Sequence, residues 1–421
     1  MKRRSLKGTT GRLAMVGSAR SMAGVALLGA IAAALLLAAC SPDSDSAPTP
    51  APGVTTTIDT VDGTVRVTNS GTPPEWRLTR VTSIGPESLS GTGSPDEFGR
   101  IYDVALGPDD AVFVADGMNS EVRVFGIDGV HRRTFGRDGE GPGEFARLYS
   151  VAWLGDRLLA LDSQQGRISE FSAEGELLGQ RRIQGGLSGG PGFVRFWRVG
   201  ADEAYHVTLT SVPGRSWEFV GVDSRGETGD TLLQLEGPNS PSVHCEHGGY
   251  IHFFGIPFAT KLVQRPGPGG AMYSAMTGDY RIAVTRANGD TVRVIERSLP
   301  AEPISDEEWS EGNSDYMALR DSLPFIVCDP LRPPRPEAKP FIEAIDIGYD
   351  GTLWVEVIRE AGNRWDVFDP EGRLLGSMPA PTERRSVTPP AIGTDHVLTV
   401  RRGDFDLDYV DVWRIEREGV R

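Results

Sequence analysis

Cysteine and histidine are scarce in this chain, with three of the first and six of the second in 421 residues. Three cysteines allow one intrachain bridge at most. The histidines gather in one stretch only, His244-Cys245-Glu246-His247 with His252 beyond. No HExxH pair is present, so the helical zinc site of many hydrolases is excluded. Serines are scattered through turns, no nucleophile constellation stands out, and no two carboxylates have separable roles. Basic charge is also short: 43 Lys and Arg stand against 58 Asp and Glu, a formal net charge of −15. That balance argues against nucleic acid or anionic lipid as the main partner. Long apolar runs are missing too. The longest, Val25–Ala39, suits a signal-peptide core and is short for a membrane-spanning helix.

What precedes that run is basic. Lys2, Arg3, Arg4, Lys7, Arg12 and Arg20 occur with no acidic residue before Cys40. The run closes on Leu37-Ala38-Ala39-Cys40, which resembles the lipobox of bacterial lipoproteins. The resemblance implies that residues 1–39 are a signal peptide and that Cys40 is lipidated and becomes the N-terminus. Ser41 stands where aspartate would imply inner-membrane retention in such proteins, so the expected place is the bacterial cell envelope, anchored by lipid in the outer membrane. Acyl chains contribute about 0.8 kcal/mol per buried CH₂, and two or more anchor a protein firmly. The Ser/Pro/Asp/Thr/Ala-rich stretch to residue 54 cannot bury a core and reads as a disordered tether, residues 40–54. Without the six basic residues of the leader the rest of the chain is more acidic still, and the charge moves from −15 to −21; residues 55–421 are then the folded domain. Cys245 and Cys328 are then an even pair outside the cytoplasm: a disulfide, or two separate buried thiols.

The 52 glycines and 30 prolines punctuate many short strands. GTGSPDEFGRIYDVA (Gly91–Ala105) and GEGPGEFARLYSVA (Gly139–Ala152) are near copies, and GGPGFVRFWRV (Gly189–Val199) echoes them. VFVADGMNSEVRVFGIDG (Val112–Gly129) and LLALDSQQGRISEFSAEG (Leu158–Gly175) follow the first two. Asp116 and Asp162, Phe125 and Phe171, and Gly129 and Gly175 are each 46 residues apart. Such a period means a solenoid, propeller or array. The units alternate in strand fashion and end at Asp128-Gly129 and Glu174-Gly175. Looser copies follow at Trp217–Gly226, Tyr280–Gly289, Ala344–Gly376 and His396–Ile415. Val65–Thr68 and Arg77–Ile84 lack a unit of their own and can pair with the last one, closing a ring and hiding its edges.

The pattern G-x-GPGEF, strand, V-A-D, turn, R-V/I-x-x-F, D-G resembles NHL-type repeats, and more closely the bacterial lipoproteins described as six-bladed β-propellers. It implies an all-β, six-bladed propeller of four-stranded blades; counting the units also gives six, with five or seven compatible. Residues 300–340 interrupt the repeat and read as a short helical and proline-rich insertion. GEGPGEF is then a connector whose Phe145 plugs between blades. A phosphate loop is disfavoured by Asp138, Glu140 and Glu144 and by the strand pattern that follows. Within the insertion Ser305 and Glu308 have capping-box spacing.

Two functions are compatible with these residues. The first is a lipid-anchored binding or scaffolding module for a protein, peptide or glycan, using a propeller face or the insertion, with no cofactor. The second is a metal-dependent hydrolase or lyase of the gluconolactonase or paraoxonase kind. It would need Asp116, Asp162 and Glu356 to form an acid ring around a channel, with calcium the candidate ion, or the His244, His247 and His252 group to hold zinc. The structural reading sets Asp116 and Asp162 as turn caps and the histidines as loop residues beside a structural cysteine.

Overall fold

The computed structural model describes residues 53–86, 93–183, 195–200, 203–209, 217–223, 228–233, 241–323, 325–382 and 388–417. The leader, Cys40 and the tether to residue 52 lie outside the described residues.

Each repeat folds into a sheet whose strands pair in chain order. The first is Ile101–Leu106, Ala111–Asp116, Glu121–Gly126 and His131–Phe135. The second is Leu148–Leu154, Arg157–Asp162, Arg167–Phe171 and Leu177–Arg182. Phe196–Arg198, Glu203–Leu209, Trp217–Asp223 and Thr228–Leu233 make the third. The fourth contains Leu262–Gly267, Ala271–Met276, Arg281–Thr285 and Thr291–Arg297, and the fifth Ile342–Ile347, Leu353–Val357, Arg364–Phe368 and Leu374–Pro379. The last joins Ala391–Ile392, His396–Arg402 and Asp408–Glu416 to Arg77–Ile84 from the start of the chain.

These sheets form a β-propeller. The first strand of every sheet reaches one central cavity, through Asp103, Val151, Trp197, Arg265, Asp346 and Ala391. Second strands such as Ala111–Asp116 and Leu353–Val357 are buried along their whole length, whereas the outer His131–Phe135 and Leu177–Arg182 are half exposed. A strand covered on both faces by neighbouring sheets loses the polar half of its alternation, which explains the short unbroken apolar runs. Apolar clusters fill the space between successive sheets and also join the last to the first, where Val410 and Val412 pack with Val112 and Val114.

The recurring turn glycine has a geometric cause. Gly129, Gly175, Gly289 and Gly372 have φ of 84, 84, 88 and 90°. Each donates its N–H to the carbonyl three residues earlier, on Gly126, Ser172, Arg286 and Asp369. A β-carbon there is strained. At three of them it would also press into the preceding sheet: onto Thr82 from Gly129, Phe135 from Gly175 and Ile295 from Gly372. The turn is thus an inter-sheet contact, and the Gly129–Thr82 one belongs to the closure.

One expectation about closure needs correction. Arg77–Ile84 pairs with Asp408–Glu416, but Val65–Thr68 does not join the last sheet. Thr64–Gly71 forms a hairpin with Val54–Val61 and runs parallel along Thr291–Arg297 at the edge of the fourth sheet. Buried Asn69 locks it there. Its Oδ1 accepts the Leu374 N–H at 3.0 Å and its Nδ2 donates to the Gly372 carbonyl at 3.0 Å, so the hairpin clamps the fifth sheet to the fourth. Val54 is already in the hairpin, inside the stretch expected to be tether.

The insertion is larger than residues 300–340. The histidine-rich stretch read as a loop is a hairpin, Ser242–His247 and Tyr250–Gly255, turning at Gly248-Gly249 with φ of 58 and 84°. Positive φ at both positions matches a primed turn, whose twist suits a hairpin. Val327–Asp329 adds a third strand, and Cys245 and Cys328 stand opposite each other in a disulfide of 2.08 Å. Closing a separation of 83 residues contributes about 2–4 kcal/mol. Next in the chain come α1 (Asp306–Gly312) and α2 (Ser314–Ser322), and α2 packs behind the sheet. Ser305 and Glu308 cap α1 reciprocally, at 3.1 and 3.0 Å. From α2, Tyr316 packs on Val243, Cys245 and Cys328 and donates its O–H to the Leu331 carbonyl at 2.7 Å.

Gly175→Ala should lower stability by about 1–3 kcal/mol in urea unfolding, because φ and the Phe135 contact both oppose a β-carbon. Gly200→Ala, where a β-carbon meets nothing within 4 Å, should change it by less than about 0.5 kcal/mol.

Candidate functional site

Two places in the fold gather chemistry: the centre of the propeller and the stapled module.

The central cavity has a volume of ≈ 50 Å³, room for little more than a water or two. Its charged walls are engaged with one another. The Arg265 guanidinium lies 3.5 Å from Asp346 and stacks 4.3 Å over Trp197. Arg195 approaches the same indole at 5.9 Å, and Arg198 lies 3.8 Å over the Tyr349 ring. Arg198 also donates to the Gly200 and Leu106 carbonyls at 2.8 and 3.2 Å. Buried arginines stacked on aromatic faces keep favourable electrostatics with little water. Asp103 accepts the Val104 and Val151 N–H groups at 3.0 and 3.2 Å, together with the Ser150 hydroxyl. Ser150 Oγ in turn accepts the Phe196 N–H at 2.9 Å. One chain of hydrogen bonds therefore crosses the first three sheets. Burial pushes the Asp103 carboxyl upward, against the pull of Arg195 and the three donors. Burial also raises the Tyr349 phenol.

The residues expected to ring this channel are elsewhere. Asp116 and Asp162 end second strands and are fully buried. Asp116 accepts the N–H groups of Gly99, Arg100 and Asn119 and the Asn119 amide, with Arg123 at 3.3 Å. Asp162 accepts from Ala146, Gln164 and Gln165, with Arg167 at 4.0 Å. The equivalent carboxylates thus perform the same task in two repeats, tying the entering connector to the strand end. Glu356 is buried on its own second strand and accepts the Asn363 amide at 2.8 Å.

The histidines are divided by strand alternation. His244 pairs across from Phe253 and Asp329, on the face opposite Cys245. His247 and His252 have the parity of Cys245, and that sulfur is held in the disulfide. Among the described residues no group of three or more His, Cys, Asp or Glu side chains is placed to hold a metal ion.

The module carries a surface that residue-by-residue reading missed. Of fourteen large apolar side chains exposed among the described residues, seven belong to it. Tyr250 is 75% exposed, Phe253 71%, Phe325 87% and Val327 71%. Ile251 and Phe253 project to the side away from the helices. A signal was present in Tyr250–Gly255, whose aromatic residues continue on both sides of the alternation.

Three comparisons bear on this architecture. A family model described as "6-bladed beta-propeller" matches residues 92–185. No curated protein sequence matches the chain. Similar solved structures include a candidate exported protein of Bacteroides fragilis, 13% identical with a TM-score of 0.41, covering 82% of this chain and 95% of that one. A member of the duf4221 family from Bacteroides vulgatus is 9% identical with a TM-score of 0.45, covering 82% and 99%. Catalytically inactive virginiamycin B lyase of Staphylococcus aureus, solved with quinupristin, is 10% identical with a TM-score of 0.39, covering 81% and 99%.

Asp162→Ala leaves three backbone N–H groups without their acceptor and should cost about 2–4 kcal/mol of stability in urea unfolding. In the module, Lys339 and the Ser305 N–H and O–H hold the Glu308 carboxyl down from 4.5 to about 2. Its contribution is present above pH 4.5 and is lost as pH falls toward about 2. A carbon-13 titration should place its midpoint near 2, and Lys339→Ala should move it back toward 4.5.

Proposed function

We propose that the protein is a lipid-anchored, six-bladed β-propeller of the bacterial cell envelope that binds a polypeptide partner. In this reading the sheets that hold the four-strand runs are the blades, and residues 1–39 deliver the chain to the outer membrane, where lipid on Cys40 retains it. Among the described residues no helix is long and apolar enough to cross a membrane.

The carrying observation is the concentration of exposed apolar side chains on the stapled module. Monomeric proteins rarely expose contiguous apolar patches without a use for them. Here the disulfide, the capped α1 and the buried Tyr316 fix the sheet rigidly while its outer face stays bare. A preorganised apolar surface binds without a large ordering cost. The centre of the propeller supports the same reading, because its carboxylates are engaged by arginine, serine and backbone donors. Asp116, Asp162 and Glu356, the acids of the metal-dependent reading, accept hydrogen bonds from backbone N–H groups or an asparagine amide.

A photo-crosslinking residue placed at Phe253 or Val327 in the native envelope should capture a discrete partner, and one at the exposed Met118 should not. Equal capture at all three positions would count against the module. Cys40→Ser should abolish labelling by fatty acid and release the protein from the membrane fraction.

A further inference from the structure

The module's outer face has a definite chemical pattern. Across the three strands, Glu246 lies opposite Ile251 on one side and Val327 on the other. One step along, His244 lies opposite Phe253 and Asp329. All six residues share a face, by strand alternation. Glu246 and Asp329 are exposed, as are Ile251, Phe253 and Val327. The face is therefore apolar with carboxylates set among the apolar side chains.

The sheet also has an open edge. Strand order is Tyr250–Gly255, Ser242–His247, Val327–Asp329, so Tyr250–Gly255 pairs on one side only among the described residues. An edge strand presents a row of backbone donors and acceptors to any chain that aligns with it. Natural sheets often blunt such an edge with lysine or proline, yet this strand reads Tyr-Ile-His-Phe-Phe-Gly.

Charge decides among occupants. Residues 241–261 and 298–341, which build the module, carry ten acidic and five basic side chains. A second copy would bring the same acidic surface, and an anionic membrane would add phosphates to it. Both are opposed by like charge. A basic segment is attracted.

We propose that this face and edge take an extended polypeptide segment that presents apolar and basic residues in turn at every second position, and so on one face, and that adds to Tyr250–Gly255 as a fourth strand. The proposal rests on the reading that the module is the protein's binding surface, and it specifies the partner's chemistry. The added strand's apolar side chains pack on Ile251 and Phe253. Its basic side chains reach toward Glu246, two strand spacings or about 9–10 Å away. Such contacts give strand pairing its affinity and side-chain pattern its specificity.

The probes are fluorescein-labelled peptides of about twelve residues that repeat Val-Ser-Lys-Ser, Val-Ser-Ser-Ser or Val-Ser-Glu-Ser, so that valine and the tested residue share one face of the strand, titrated into the disulfide-bonded protein by anisotropy. The valine–lysine peptide should bind at least about tenfold more tightly than the other two. Ile251→Ser and Phe253→Ser should weaken it by about tenfold or more, and so should Glu246→Lys. These side chains are exposed, and an unchanged melting temperature with an intact Cys245–Cys328 bond will show that the fold is kept. If the three peptides bind alike but lose affinity in Phe253→Ser, the basic assignment is overturned and the binding face survives. If no peptide loses affinity in Phe253→Ser, both the strand proposal and the binding face fall. A concentration-dependent dimer, or adsorption to phosphatidylglycerol vesicles, that Phe253→Ser abolishes would equally overturn the proposal by naming another occupant.

Discussion

A chain of short sheets has an edge problem, and the rest of this structure depends on its solution. Each inner sheet covers its neighbour, but the first and last would face water with apolar surfaces such as Val112, Val114, Val410 and Val412. Pairing Arg77–Ile84 with Asp408–Glu416 lets the last sheet draw one strand from the beginning of the chain. That strand brings Thr82 beneath the Gly129 turn, repeating at the closure the contact that Gly175 makes with Phe135 and Gly372 with Ile295. Closure is thus the same packing interaction used once more, with the chain's two ends tied together by it. Burying that surface at roughly 25 cal/mol per Å² outweighs any single hydrogen bond in the ring.

Closure also explains what the centre can do. First strands brought together around an axis leave a narrow space, and charged side chains there must find partners inside the protein. Arg265 finds Asp346 and Trp197, Arg198 finds Tyr349, and Asp103 finds Ser150 and two backbone donors. The centre acts as a polar keystone linking the sheets. The module, by contrast, is built outside the ring on its own disulfide and helices, so its surface is free to vary without disturbing closure.

Much of the ring was legible in the sequence because its cause is local. Gly129 and Gly175 recur because one turn demands positive φ, and Asp116 and Asp162 recur because one connector needs the same acceptor. The channel was not legible. At the equivalent register the first strands carry Asp103, Ser150 and Arg198, residues of unlike chemistry whose only common property is position. An acid ring was sought at the repeated aspartates, but repetition there reflects turn geometry. The histidine stretch was misread because Gly248-Gly249 marks a tight hairpin turn as readily as a loop. The partner strand, Val327–Asp329, lies too far along the chain for local pattern to reveal it.

The central claim is that the module's bare apolar face is covered when the protein is in place in the cell envelope. Hydroxyl-radical footprinting read by mass spectrometry tests this directly, because Tyr250, Phe253 and Phe325 are both reactive and exposed. The account predicts strong labelling of all three in the purified protein and protection of Tyr250 and Phe253 in intact envelopes, with Met118 labelled equally in both. Equal labelling of Phe253 and Met118 in the two settings would contradict it.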